Sequence, residues 1–174
     1  RVHRSELAAR MYEAAHLVGR FRLRSGRTAD EYFDKYRFEA DPVLLRAIAE
    51  QAAELVPAGT EVLAGLELGG VPIATALGLV TGLPVAFVRK AAKTYGTCRL
   101  AEGAAVEGRR VLVVEDVVTS GGQVALSTAD LRAHGADVGQ VLCVLDREEG
   151  GAQALAGHGL ALTALFTATQ LRPA

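Results

Sequence analysis

Apolar and polar positions along the chain change period repeatedly, and that alternation is the first clue to the fold. Leu7, Ala8, Met11, Ala14, Ala15 and Val18 recur at helical spacing, which predicts an amphipathic helix from Ser5 to about Val18. Residues 19–38 break the pattern: they are dense in Arg, Gly and aromatics, with short strand-like pieces. Asp41-Pro42 supplies an N-cap and a first-turn proline, opening a helix to about Val56 that Pro57 and Gly59 end. Continuous apolar runs follow, as expected of strands buried on both faces of a parallel sheet. They predict strands over 61–66, 84–89, 111–116, 140–146 and 162–169, with helices over about 72–80, 123–134 and 152–156. Residues 91–109 read as a long polar, Gly-containing loop.

Strand-like and helix-like segments in alternation favour an α/β fold with a parallel sheet. At 174 residues, without a repeat, low-complexity tract or linker, one domain is expected over 1–174, with about residues 1–40 forming a hood over the sheet. The net charge of −1 argues against a general nucleic-acid or membrane-surface role. No apolar run is long enough to span a bilayer and none reads as a signal peptide. Cys98 and Cys143 lie far apart and make no disulfide framework, so a cytoplasmic setting is expected.

The densest chemistry lies in Val111-Leu-Val-Val-Glu-Asp-Val-Val-Thr-Ser-Gly-Gly-Gln123. An apolar strand ends in Glu115 and Asp116, and the turn Thr119-Ser120-Gly121-Gly122 leads into a helix. Free backbone N–H groups and the helix dipole make such a turn an anion cradle. Two carboxylates beside a phosphate would repel it unless they touch something else. Sugar hydroxyls or a divalent metal meet that need, and a ribose 5′-phosphate satisfies both ends at once. An ordinary βα turn with a capping hydroxyl is the plain alternative. The loop lacks the Gly-Lys-Ser/Thr of a Walker A motif and the Gly-x-Gly-x-x-Gly of a dinucleotide fold.

Three further segments gather chemistry. Glu67-Leu-Gly-Gly-Val-Pro72 falls at the carboxyl end of a predicted strand, where Gly69-Gly70 exposes backbone for close approach to an anion, or simply makes a tight turn. Arg89-Lys-Ala-Ala-Lys-Thr-Tyr-Gly96, with Arg99 beyond, is a local positive field in a nearly neutral chain. Phe21-Arg-Leu-Arg-Ser-Gly-Arg-Thr-Ala-Asp-Glu-Tyr-Phe-Asp34 and Leu145-Asp-Arg-Glu-Glu-Gly150 combine cations with aromatics, and Arg147 stands at a strand's carboxyl end. Its guanidinium fork can pair with a carboxylate.

The strand, acidic pair and Thr-Ser-Gly-Gly turn resemble the phosphoribosyl pyrophosphate (PRPP) signature of type I phosphoribosyltransferases. The other segments resemble the orotate branch of that family, from about Phe21 to Thr169. The resemblance implies the type I phosphoribosyltransferase fold, a central parallel sheet flanked by helices with a small N-terminal hood. It implies transfer of phosphoribosyl from PRPP to orotate in UMP synthesis, with Mg²⁺ held mainly by PRPP and water and without a direct protein ligand. PRPP contacts would fall to Gly69, Arg89, Lys90, Lys93, Tyr95, Glu115, Asp116, Val117, Val118, Thr119, Ser120, Gly121, Gly122 and Gln123. Arg89, Lys93 and Asp116 would be catalytic, and Arg24, Tyr32, Phe33, Thr119 and Arg147 would hold orotate. A homodimer sharing basic-loop cations between sites is also implied. The chain departs from the pattern at Gly69, where some members carry Lys, at Arg24, where Lys is common, and at Tyr95, where His is frequent. A phosphoribosyltransferase for another base and a non-catalytic PRPP-sensing regulator are the alternatives.

Overall fold

The computed structural model describes residues 1–92 and 99–173. The elements in chain order are α1 (Arg4–Ala15), β1 (His16–Arg22), β2 (Thr28–Phe33), α2 (Lys35–Glu39), α3 (Pro42–Ala53), β3 (Val62–Leu66), α4 (Gly70–Thr81) and β4 (Val85–Val88). There follow β5 (Ala101–Gly103), β6 (Arg110–Val118), α5 (Gly122–Ala133), β7 (Asp137–Asp146), α6 (Gly151–Ala156), β8 (Ala161–Thr167) and α7 (Ala168–Leu171).

Among the described residues, a six-stranded sheet has the order β5-β4-β3-β6-β7-β8. Its pairs are parallel except β4 with β5. The apolar β6 therefore runs near the middle of the sheet, hydrogen-bonded on both sides. Side chains alternate along it. Leu112 and Val114 join Leu7, Met11, Phe38, Ile48 and Leu77 in one cluster, under α1 to α4. Val111 and Val113 join Val124, Leu131 and Leu155 in a second, under α5 and α6. The hood residue Phe38 thus shares a core with the sheet.

Local signals account for several boundaries. The Asp41 carboxylate accepts from the N–H groups of Val43 at 2.9 Å and Leu44 at 3.3 Å, and Pro42 begins α3. Other boundaries correct the sequence reading. The first helix stops at Ala15, three residues early, because His16, Leu17 and Val18 pair with Phe33, Tyr32 and Glu31 in an antiparallel hairpin. Val18, assigned by spacing to a buried face, is 80% exposed. Part of the expected loop at 91–109 is β5, an edge strand too short for periodicity to register. The last run ends its strand at Thr167, whose side chain and Gln170 form a capping box that opens α7.

Candidate active site

The acidic pair lies within β6, not at its end. The strand continues in register with β7, Val117 opposite Leu145 and Val118 opposite Asp146. The two side chains leave the strand on opposite faces, yet the acids stay in contact: Glu115 Oε1 accepts the Asp116 N–H at 3.1 Å. Glu115 lines a cavity of about 560 Å³ between the hood hairpin, the β3–α4 turn and the start of α5. Asp116 is 0% exposed and turns toward α2. Val117 and Thr119 line the cavity. Val118 does not offer its side chain, which is buried in the second cluster, and its carbonyl accepts the Arg147 N–H at 3.0 Å.

The following turn has the geometry expected of an anion cradle. Gly121 takes φ 83° as the N-cap of α5, with no side-chain cap, so the first N–H groups of the helix have no intrahelical partner. The left-handed φ favours glycine there. Ser120 and Gly122 are exposed beside it. Gln123 faces the cavity, its amide donating to Ser127 Oγ at 3.2 Å.

Four cations ring the same space: Arg24, Lys35, Lys90 and Arg147. Tyr32 and Phe33 form a wall, and the Arg147 guanidinium lies 5.4 Å from the centroid of the Phe33 ring. Residues from two segments far apart in sequence are thus brought to one corner. Gly69 lines the cavity opposite Asp116. A Cβ there would fall 1.8 Å from Asp116 Oδ2, so a side chain at 69 is sterically barred and only backbone is offered. Glu67 accepts the Lys90 N–H, tying the turn to the start of the basic stretch. Arg89 is half-buried at the end of β4 and does not line the cavity. Lys93 and Tyr95 lie outside the described residues.

Two residues absent from the sequence reading complete the site. Lys35 Nζ sits 2.9 Å from Asp116 Oδ2 and 3.1 Å from Oδ1, with hydrogen-bond geometry to Oδ1. Asp116 Oδ1 also accepts the Val117 N–H at 2.7 Å. Glu39, one turn beyond Lys35, is buried. Among the described residues neither of its carboxyl oxygens, nor Asp116 Oδ2, has another hydrogen-bond donor. One proton held by Glu39 and donated to Asp116 gives that carboxylate a donor and serves one of the two Glu39 oxygens.

The electrostatics agree. Burial and then the Asp116 charge push the Glu39 carboxyl up to about 9. The same causes raise Glu115 to about 9. Burial would raise Asp116 too, but the Glu39 hydrogen bond and the Lys35 charge outweigh it and hold Asp116 below the usual carboxylate range. Lys35 is held above its ordinary value, because Asp116 overcomes the effect of burial. At neutral pH the cluster therefore carries one negative and one positive charge, with Glu39 and Glu115 neutral. In that state the site does not present two bare carboxylates to an anion. A neutral Glu115 can both donate to and accept from a sugar hydroxyl.

Lys35 and Glu39 carried one faint signal, an i,i+4 opposite-charge pair directly after the aromatic segment. That spacing ordinarily marks a solvated helix face.

The family match follows the same geography. The phosphoribosyl transferase domain matches residues 36–156, from α2 to the end of α6, and the chain belongs to that family. Its relatives place it in one branch. An orotate phosphoribosyltransferase of a Nocardioides species is 53% identical over 165 residues, covering 95% of this chain and 92% of that protein. One of Methanocella arvoryzae is 44% identical, with 88% of this chain and 87% of that protein covered. The crystal structure of the Mycobacterium tuberculosis H37Rv orotate phosphoribosyltransferase in complex with PRPP is similar at a TM-score of 0.83 and 32% identity, covering 97% of this chain and 98% of that one. Within the family, the chain groups with the orotate phosphoribosyltransferases.

Proposed function

We infer that the protein transfers the phosphoribosyl group of PRPP to orotate, releasing pyrophosphate and forming orotidine 5′-monophosphate, a step of pyrimidine nucleotide synthesis. The observation that carries this reading is the single cavity joining the acid-bearing tip of β6, the uncapped start of α5 and the Arg147–Phe33 corner. It matches a ligand with a diol, a phosphate and a flat anionic ring.

Each group has a task that follows from its chemistry. The α5 amides and the Thr119 to Gln123 turn hold the 5′-phosphate. Glu115 and Asp116 hold the ribose hydroxyls and so fix the anomeric carbon. Tyr32 and Phe33 flank the orotate ring, while Arg24, Thr119 and Arg147 answer its carboxylate and imide oxygens. Orotate's ring nitrogen attacks as an anion while pyrophosphate leaves from an electron-poor ribose centre. The chain's contribution is therefore positioning and charge stabilisation rather than a protein nucleophile. Lys90 faces this space, and Arg89 and Lys93 are assigned to the departing pyrophosphate, lent by a second copy of the chain in a homodimer.

Mg²⁺ supplies neutralising charge on the diphosphate when bound. The donors present fit an ion brought in on PRPP and water: Asp116 is engaged by Lys35 at 2.9 Å, and cations ring the cavity. A cytoplasmic setting belongs to the same proposal, supported by the free, buried Cys143, whose thiol burial pushes up and so leaves unreactive. No helix among the described residues is long and apolar enough to cross a membrane.

The test is to mix protein, PRPP and Mg²⁺ with orotate and follow loss of orotate absorbance, against a panel of purine and pyrimidine bases. Turnover with orotate is expected to exceed that with every other base. Preference for another base would overturn the substrate assignment, and binding of PRPP without turnover would favour a regulator.

A further inference from the structure

Asp116 poses a steric problem for the function just proposed. A carboxylate that is 0% exposed cannot accept a hydrogen bond from a ribose, and one of the groups covering it is Lys35. The Lys35 side chain is 32% exposed and reaches Asp116 from the first residue of α2, lining the cavity as it does so. Glu39 also touches Asp116, but it is buried beneath and has nowhere to go. Lys35 is the partner that can leave. Its four-carbon stem permits the swing without movement of α2.

Across the cavity, Gly69 cannot carry a side chain while Asp116 stands where it does. No cation can therefore come from that position to the phosphate groups at the ribose's reacting end. A lysine displaced from Asp116 would remain within this corner, charged and without a partner.

We propose that Lys35 is an exchangeable counter-ion: it neutralises Asp116 in the empty site, is displaced when the ribose diol takes that carboxylate, and then pairs with the diphosphate of the same ligand. This rests on the reading of the site as a PRPP site. It adds a ligand-binding residue to the set, and it makes the charge of the empty site and that of the filled site two uses of one ammonium. No bond is made or broken; the exchange trades one ion pair for another.

Two ligands separate the idea from a purely structural role. Ribose 5-phosphate has the diol and the 5′-phosphate but no diphosphate, whereas PRPP has all three. Calorimetry on Lys35→Gln, whose amide still donates to Asp116, is expected to show PRPP binding weakened about tenfold or more, since one charge-assisted contact is lost. Ribose 5-phosphate should bind as tightly as to wild type or more tightly, because it displaces Lys35 from Asp116 without offering the freed ammonium a new partner. Equal weakening of both ligands, or no change in either, overturns the proposal. Lys35→Arg provides a second arm that keeps the charge on Asp116 should the glutamine variant not fold. It should hold the wild-type preference for PRPP over ribose 5-phosphate to within about threefold, and loss of that preference overturns the proposal. Wild-type protein that takes up neither ligand would instead sink the underlying assignment as a PRPP site, and this inference with it.

Discussion

Two pieces of the molecule meet at Asp116 and contribute in opposite ways. β6 is a central nine-residue strand, paired with β7 along most of its length and with β3 over Val111 to Val114, with Val113 and Val114 fully buried. α2 is a five-residue helix in the hood, begun by the Asp34 cap and seated by Phe38. The strand supplies position: its backbone fixes the acids and aims the α5 amides. The helix supplies charge, since Glu39 and Lys35 hold Asp116 below the usual carboxylate range. Rigidity and electrostatic setting thus come from separate parts of the chain. The first can be shared widely across a fold, while the second can be retuned by two side chains.

Breaking the strand's side of that contact should have the largest effect. Asp116→Asn removes the carboxylate and leaves Lys35 without its partner, and kcat/KM should fall about a thousandfold in the orotate assay. Lys35→Gln in the same assay should lose far less. The double variant should lose much less than the sum, because the two groups act as one pair. Additive losses would separate the strand from the hood.

The Arg147–Phe33 corner comes next. Arg147→Ala should raise the KM for orotate roughly thirtyfold, the worth of a charged hydrogen bond, while PRPP affinity measured by calorimetry is unchanged. An unaltered KM would remove Arg147 from base recognition. A methyl at the facing turn is a smaller insult. Gly69→Ala should lower unfolding free energy by about 2 kcal/mol, the ordinary cost of overpacking, because its Cβ meets Asp116 Oδ2 at 1.8 Å. Denaturant titration reads this directly, and unchanged stability would mean that Asp116 moves freely.

The pH response is the subtlest test of the hood's contribution. Glu39 has its carboxyl raised from 4.5 to about 9 in the folded protein. Below the unfolded value both states hold the proton and folding is not penalised. Between these limits only the folded state keeps it, so stability falls as pH rises toward 9. Asp116, held low, acts oppositely: its contribution is present at neutral pH and is lost as the solution is acidified through its folded value. Glu39→Gln keeps a donor but no titration. It should reduce the decline in unfolding free energy between pH 6 and 9 by up to about 1.4 kcal/mol per pH unit, one proton's worth. An identical slope in variant and wild type would show that Glu39 is ionised and that the hood does not set the charge.

Which of these features the chain announces in advance follows from how far apart their causes lie in sequence. Asp41-Pro42 states its own helix start, because cap and capped N–H groups are two and three residues apart. The run from Val111 to Gln123 is legible for the same reason: strand, acids and glycine turn are contiguous, so their chemistry can be read in order. The aromatic pair and Arg147 could be nominated only by resemblance, and folding placed Arg147 beside Phe33. Local spacing favours helix through Val18, whereas pairing with Glu31 draws that residue into a hairpin, so α1 ends at Ala15.

By itself, then, the sequence determined the α/β alternation, the buried central strand and the glycine turn at the start of α5, each a property of neighbouring residues. Tertiary structure alone decided the charge state of the acids. Lys35 and Asp116 are 81 residues apart, and nothing local distinguishes Lys35 from an ordinary surface lysine. Burial raises Glu39 and Glu115, and the Glu39 hydrogen bond together with the nearby Lys35 charge holds Asp116 low. Both causes are distances through space, which exist only once the chain has closed on itself.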